Sequence, residues 1–327
     1  MRVFLSSLAI TTTALFMFIA CPPTGQVTDD DSATPEPTPN PTPPVFSVQV
    51  LDGYNEISLF TVDVGGGFLV DFTRTETVQN IAGEDHILLL RGYSQLAAAN
   101  GTTANGDATF GLILDGLPFE ILQTPLALTY EEANDAVLLG PPGQEAVYSL
   151  DWDGTTATFT FDETDVRNPP GYDGPQVVAL TPKPLPNSEL TGTWNYQSLT
   201  LDPLTYHNIC TPLDAVNAAL LRGNIDFADT LAFSHSTTVE VYANQLCNGA
   251  PIDGFVGDGI GLFDIDEVAK TITVWQLMNP GTASQFGQRL MATYSMGAGV
   301  LTIDRTDLIS SDPGAPDMSQ IVLTGPN

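Results

Sequence analysis

The chain has 327 residues, of which 39 are Asp or Glu and 9 are Lys or Arg, a formal net charge of −30. A surface so acidic repels phosphate backbones and anionic headgroups, which excludes nucleic acid and anionic lipid as partners. The length suffices for one large domain or two ordinary ones.

In chain order, the first stretch is a leader. Arg2 gives a positive start, residues 3–20 carry no charge, and the run closes Phe18-Ile19-Ala20-Cys21. This is the layout of a secretory signal, with a small residue ahead of the cleavage point. The four closing residues resemble the bacterial lipobox, with Phe18 where Leu is usual. The resemblance implies a signal peptide over residues 1–20, cleavage before Cys21, and lipidation of Cys21. Several acyl chains at about 0.8 kcal/mol per buried CH₂ would anchor the protein stably. Pro22 stands where an Asp marks inner-membrane retention in some bacteria, so the outer membrane is the expected location. A single transmembrane helix over residues 3–20 is the alternative, since the run is near the minimum spanning length.

Residues 21–44 then read as a tether. Asp29-Asp30-Asp31 is a solvated acidic cluster, and Pro alternates with Thr, Glu and Asn over residues 35–44. Such a stretch buries no core and favours disordered, extended polyproline II.

From Phe46 the pattern is β. Short runs rich in Val, Ile, Thr and Phe are broken by Gly, Asp, Asn and Pro, as at residues 46–51, 57–64 and 87–90. The triplet Gly65-Gly66-Gly67 separates two runs. Asp115-Gly116 is a hairpin turn between apolar runs, and Pro118 beyond it belongs at an edge or strand end. Residues 131–136 read as one helical turn. Ala146, Tyr148 and Leu150 alternate with polar neighbours, Asp153-Gly154 turns the chain, and Ala157, Phe159 and Phe161 alternate on the return.

The same order recurs near the C-terminus. Tyr148-Ser149 matches Tyr294-Ser295, Thr164-Asp165 matches Thr306-Asp307, and Leu180-Thr181 matches Leu323-Thr324. Residues 85–93 match 229–239 upstream. This is a tandem duplication with its boundary near the prolines of residues 182–186, giving β-domains over residues 45–184 and 188–327. The second opens with Gly192-Thr193-Trp194. Residues 213–221 then have helical spacing, with Pro212 as a start and Gly223 as a stop.

Gly192-Thr193-Trp194 resembles the Gly-x-Trp of the lipocalins, whose Trp packs across the closed end of a barrel. The resemblance implies a lipocalin-like barrel for the second domain, with Arg305 stacking under Trp194; the first domain lacks the motif. The fold expected is therefore mainly β, two tandem antiparallel β-barrels or β-sandwiches after the tether.

With Cys21 lipidated, Cys210 and Cys247 remain as a pair, and in an exported protein a disulfide follows, stabilising by roughly 3–4 kcal/mol in the chain-entropy model. His207, Cys210, His235 and Cys247 match no usual structural-zinc spacing. Asp151-Trp152-Asp153-Gly154 lacks the distal ligands of a calcium loop and reads as a turn. No metal or cofactor is expected. No nucleophile elbow, phosphate loop or His-Glu zinc motif is present, so a non-enzyme is expected.

The function this points to is a membrane-anchored cell-envelope lipoprotein with a non-catalytic binding or structural role, whose partners are the membrane and an envelope protein. The alternative is a carrier of a small apolar ligand, held by Trp194, Phe233, Tyr242 and Trp275. Filled barrels favour the first, and an apolar cavity of about 300 Å³ or more favours the second.

Overall fold

The computed structural model describes residues 45–63, 68–168, 172, 174–185, 188–283, 285–315 and 317–325. The leader, Cys21, the tether and the triplet Gly65-Gly66-Gly67 lie outside the described residues.

The first domain contains β1 (Gly53–Asp63), β2 (Leu69–Thr73), β3 (Thr77–Ile81), β4 (Glu84–Ala98) and β5 (Thr103–Leu114). It continues with β6 (Leu117–Glu131), β7 (Ala136–Gly140), β8 (Ala146–Trp152), β9 (Ala157–Phe161) and β10 (Val177–Pro182). The second contains β11 (Gly192–Leu201), β12 (Leu204–His207), β13 (Thr211–Pro212), β14 (Ala218–Phe227) and β15 (Ala232–Tyr242). It ends with β16 (Asp253–Asp266), β17 (Thr271–Met278), β18 (Phe286–Gly297), β19 (Val300–Ser310) and β20 (Met318–Thr324).

Every pairing is antiparallel between chain neighbours, and closure comes from the first strand. β1 pairs with both β10 and β4, and β11 with both β20 and β14. Each domain is thus a closed eight-stranded barrel, with the short pairs β2–β3 and β12–β13 inserted after its first strand. Barrels rather than sandwiches form because full closure leaves no free sheet edge.

The strand order of the two sheets is identical, displaced by ten strands. The register repeats as well. A bulge interrupts β1–β10 between Ile57 and Leu59, and β11–β20 between Tyr196 and Ser198. Superposing these bulges equates Gly53-Tyr54-Asn55 with Gly192-Thr193-Trp194. Both glycines have positive φ, 96° and 123°, which a side chain rarely tolerates. Asn55 Nδ2 donates to the Leu51 carbonyl at 2.8 Å, and Trp194 Nε1 donates to the Leu190 carbonyl at 2.8 Å. Leu51 and Leu190 are both fully buried as plugs of their barrel ends. The first domain therefore carries the device without its tryptophan.

Several sequence expectations are corrected. Residues 46–51 are not a strand. Val48–Leu51 is a 3₁₀ turn capped by Ser47, and it buries Val48 and Leu51 three residues apart on one side. Residues 213–221 are not a helix. Asp214 Oδ1 accepts the Val216 and Asn217 amides at 2.7 Å, and the chain then enters β14. This side-chain turn competes with the helix, and strand pairing overrides the helical preference of Ala and Leu. Residues 132–135 form a turn between β6 and β7, not a helical turn. The match of 85–93 to 229–239 falls one strand out of place, because β4 corresponds to β14 and residues 232–239 lie in β15. Thr164-Asp165 lies in a turn, whereas Thr306-Asp307 is inside β19. Arg305 pairs with Asp317, and no described cation–π contact involves it or Trp194.

The barrels touch along β5 and β6 of the first and β16 to β18 of the second. Trp275 packs there with Leu89 and Ile113, and the Arg91 guanidinium lies 5.3 Å from its ring centroid. Arg91 Nε also donates to Asp264 Oδ2 at 2.6 Å.

Candidate functional site

The interiors of the two barrels differ where their register makes them comparable. Tracing the pairing from Gly53 and Gly192 through successive strands equates Phe110 with Thr237 and Leu122 with Gly257. In the first barrel, Phe110 packs on Phe60 at 4.7 Å between centroids, and Leu122 packs against the same core. In the second barrel those two volumes are a threonine and a glycine. The result is a cavity of about 120 Å³.

Glycine recurs at alternate positions of β16: Gly257, Gly259 and Gly261. Their partners across the ladder are Thr237, His235 and Phe233. A Cβ at Gly259 would lie 2.2 Å from His235 Nε2, and one at Gly261 would lie 2.2 Å from Phe233 Cε1. These two glycines let the His and Phe rings lie flat on the β16 backbone, stacked with an interplanar angle of 10°. A Cβ at Gly257 meets only Met278 Cε, at 3.5 Å, so its place is open space within the cavity.

The walls are apolar, with Leu199, Ile225, Phe227, Phe233, Leu290 and Ile321 among them. The polar groups gather on one side. His235 Nδ1 lies 3.5 Å from Thr237 Oγ1, and Gln276 Nε2 donates to Gln288 Oε1 at 2.8 Å. His235 Nε2 is buried without a hydrogen-bond partner. Burial disfavours the imidazolium and pushes the His235 pKa down to about 4, against smaller opposing pulls from Asp258 and from the Gln276 side chain. The imidazole is therefore neutral at pH 7. Burial likewise lifts the Tyr196 hydroxyl to about 12, so it too is neutral.

One end of this barrel is shut by Leu190 and Trp194. The cavity reaches the opposite end, where Leu201, Phe255, Met278, Phe286 and Met318 rim it. Tyr206 of β12 meets Phe255 edge-on there, at 6.2 Å between centroids. The corresponding end of the first barrel is covered. Tyr172 stacks on Phe161 at 4.5 Å, its hydroxyl meets that of Tyr148 at 2.9 Å, and Asn168 ties the same segment to Val147.

Of the residues expected to hold a ligand, Phe233 lines the cavity. Trp194 is buried at the closed end, Trp275 faces the neighbouring barrel, and the Tyr242 hydroxyl donates to Glu240 Oε2 at 2.7 Å near the open end. Cys210 and Cys247 form a disulfide joining the two long loops of that end, with Cα atoms 5.7 Å apart. Sequence reasoning missed His235, Thr237 and the glycine stripe. The legible signal was Gly257-x-Gly259-x-Gly261, a period-two run of glycines inside a strand, which marks close backbone approach.

Among the described residues no group of three or more His, Cys, Asp or Glu side chains is placed to hold a metal ion, and no helix is long and apolar enough to cross a membrane. Comparison of the chain with protein families, curated proteins and solved structures finds no match.

Proposed function

We propose that the protein is a cell-envelope lipoprotein, anchored to the outer membrane through Cys21, whose second barrel binds a small amphipathic ligand. The apolar part of the ligand fills the cavity, and an N–H or O–H group donates to the neutral His235 imidazole. The observation that carries this is the replacement, at equivalent positions, of Phe110 and Leu122 by Thr237 and Gly257. The cavity holds about 120 Å³ and opens at one end. Its volume is below the ~300 Å³ of a drug-sized pocket. It is close to the ~150 Å³ that accommodates benzene, so the buried part of the ligand is about one ring or a short acyl segment. The role proposed is binding, carried by the largely apolar lining. The first barrel, whose equivalent positions hold Phe110 and Leu122 packed in its core, serves as a structural partner.

The test is native mass spectrometry of a Cys21→Ser form purified from the periplasm without detergent. The reading expects a reproducible added mass that is lost on denaturation. A clean apo mass, unchanged across a panel of short acyl and aromatic compounds, would overturn it in favour of a purely structural role.

A further inference from the structure

The open end of the second barrel carries a second feature that the cavity does not require. In the first barrel, β5 and β6 are joined by the two residues Asp115-Gly116, both with positive φ, a tight hairpin. The equivalent strands β15 and β16 are joined by the ten residues 243–252. The disulfide ties this long loop to the loop between β12 and β14, and the Gln245 side-chain amide donates to the Asp214 and Asn217 carbonyls at 2.9 and 3.0 Å. A loop far longer than its counterpart in the first barrel is thus held to the β12–β14 connection at the mouth of the cavity.

Their side chains are unusual for this molecule. Ile209, Val216, Leu246 and Ile252 are 60–75% exposed, and Leu204 on the β11–β12 turn is 43% exposed. Residues 204–213 and 243–252 contain no Asp, Glu, Lys or Arg, in a chain with 39 acidic residues. Asp214, beside these residues, accepts the amides of Val216 and Asn217, and Asp253, directly after Ile252, accepts the Gly254 amide. An exposed apolar cluster of this kind marks an interaction site. It forms a collar, free of charge over those two stretches, on one side of the cavity's open end.

We propose that this collar docks on a neutral, zwitterionic lipid surface, with the loop tips entering the interfacial layer and the cavity mouth opening into it. The charge pattern selects this partner. The acidic body is repelled by anionic headgroups, whereas the charge-free stretches 204–213 and 243–252 are not. Aliphatic tips beside the Tyr206–Phe255 pair match an interface that is apolar below and wet above. A lipid layer also leaves the mouth supplied with ligand, whereas a rigid protein partner would seal it. This docking extends the proposed binding role but is read from different residues, and either can fail alone.

The experiment uses the Cys21→Ser protein, which has no acyl anchor, with sucrose-loaded phosphatidylcholine vesicles. Co-sedimentation is measured for this protein, for Ile209→Asp/Leu246→Asp, and for Val268→Asp, a control at a turn of the closed end that is 96% exposed. The proposal expects binding to the vesicles, at least tenfold weaker for the double variant and unchanged for the control. Because all three sites are exposed loop positions outside the cavity lining, the ligand-dependent added mass in native spectra should persist in the double variant. Absence of vesicle binding, or equal binding by the double variant, would overturn the docking and leave the cavity reading intact. A concentration-dependent dimer in analytical ultracentrifugation that the two aspartates abolish would overturn it too, assigning the collar to self-association.

Discussion

Gly257→Leu isolates the role of the cavity. Gly257 lies on the inner face of β16, its backbone needs no positive φ, and a Cβ there meets only Met278 Cε at 3.5 Å. The equivalent position of the first barrel already holds a leucine, Leu122, packed in the core. Four added carbons at about 0.8 kcal/mol each would contribute about 3 kcal/mol if fully buried. Ordering the leucine costs about 0.5–1 kcal/mol, and removing a glycine from a strand interior returns a similar amount. Imperfect fit to a cavity of 120 Å³ reduces the net to about 1–2 kcal/mol. At about 2–4 °C per kcal/mol for a chain of this size, the Tm should rise by roughly 3–6 °C. The same leucine occupies the space that the ligand needs, so affinity should fall at least a hundredfold. Calorimetry and native mass spectrometry on one preparation read both. A variant that is stabilised and still binds ligand would refute the placement of the ligand. One destabilised by more than about 1 kcal/mol would refute the cavity itself.

Three further outcomes follow from the geometry. The His235 pKa is lowered from its ordinary 6.5 to about 4, so between those values the unfolded chain binds a proton that the folded barrel does not; stability should therefore fall as pH drops from about 6.5 to 4. Comparing denaturant midpoints of wild type and His235→Gln across that range should show the slope diminished in the variant, and an identical slope would contradict the assignment. Opening the Cys210–Cys247 disulfide, which spans 37 residues in sequence, should cost about 4 kcal/mol in the chain-entropy model. Urea unfolding of the double Cys→Ser variant checks this, and a cost below about 1 kcal/mol would show the loops to be ordered without it. Arg91→Ala removes the ion pair to Asp264 and the cation over Trp275; a loss of about 1–2 kcal/mol is expected, with the calorimetric transition broadening towards two. A single unchanged transition would mean that the junction does not couple the barrels.

Much of the fold was legible because β-sheet turns and alternation are local. Asp115-Gly116 and Ala298-Gly299 have positive φ at both central positions, as the two-residue hairpins require. Pro118 sits at a register shift beside its turn, as a residue without an amide proton should. The repeat was also readable from Leu180 and Leu323, which the pairing equates, whereas Tyr294 corresponds to Leu150, so its match to Tyr148 is two residues out of register. What failed was decided by distant partners. Residues 213–221 have helical composition, but Ala218–Phe227 pairs with both β11 and β15, and pairing prevails. Trp275 reads as barrel lining, yet it points outward because a neighbouring barrel exists to cover it with Leu89 and Ile113. The first barrel's plug was hidden because Asn55 does the work of Trp194 with a different side chain. The cavity was hidden for a related reason: it is a difference between two registers, Phe110 and Leu122 against Thr237 and Gly257, and only pairing through four strands aligns them.

The proposed ligand of the second barrel lies against His235. A crystal structure of the protein purified without detergent from the periplasm tests it most directly. Continuous density is expected between Phe233, Thr237 and Gly257, with one polar atom within hydrogen-bond distance of His235 Nε2. Ordered water alone in that space, or a Phe233 or Met278 side chain collapsed into it, would contradict ligand binding by this barrel.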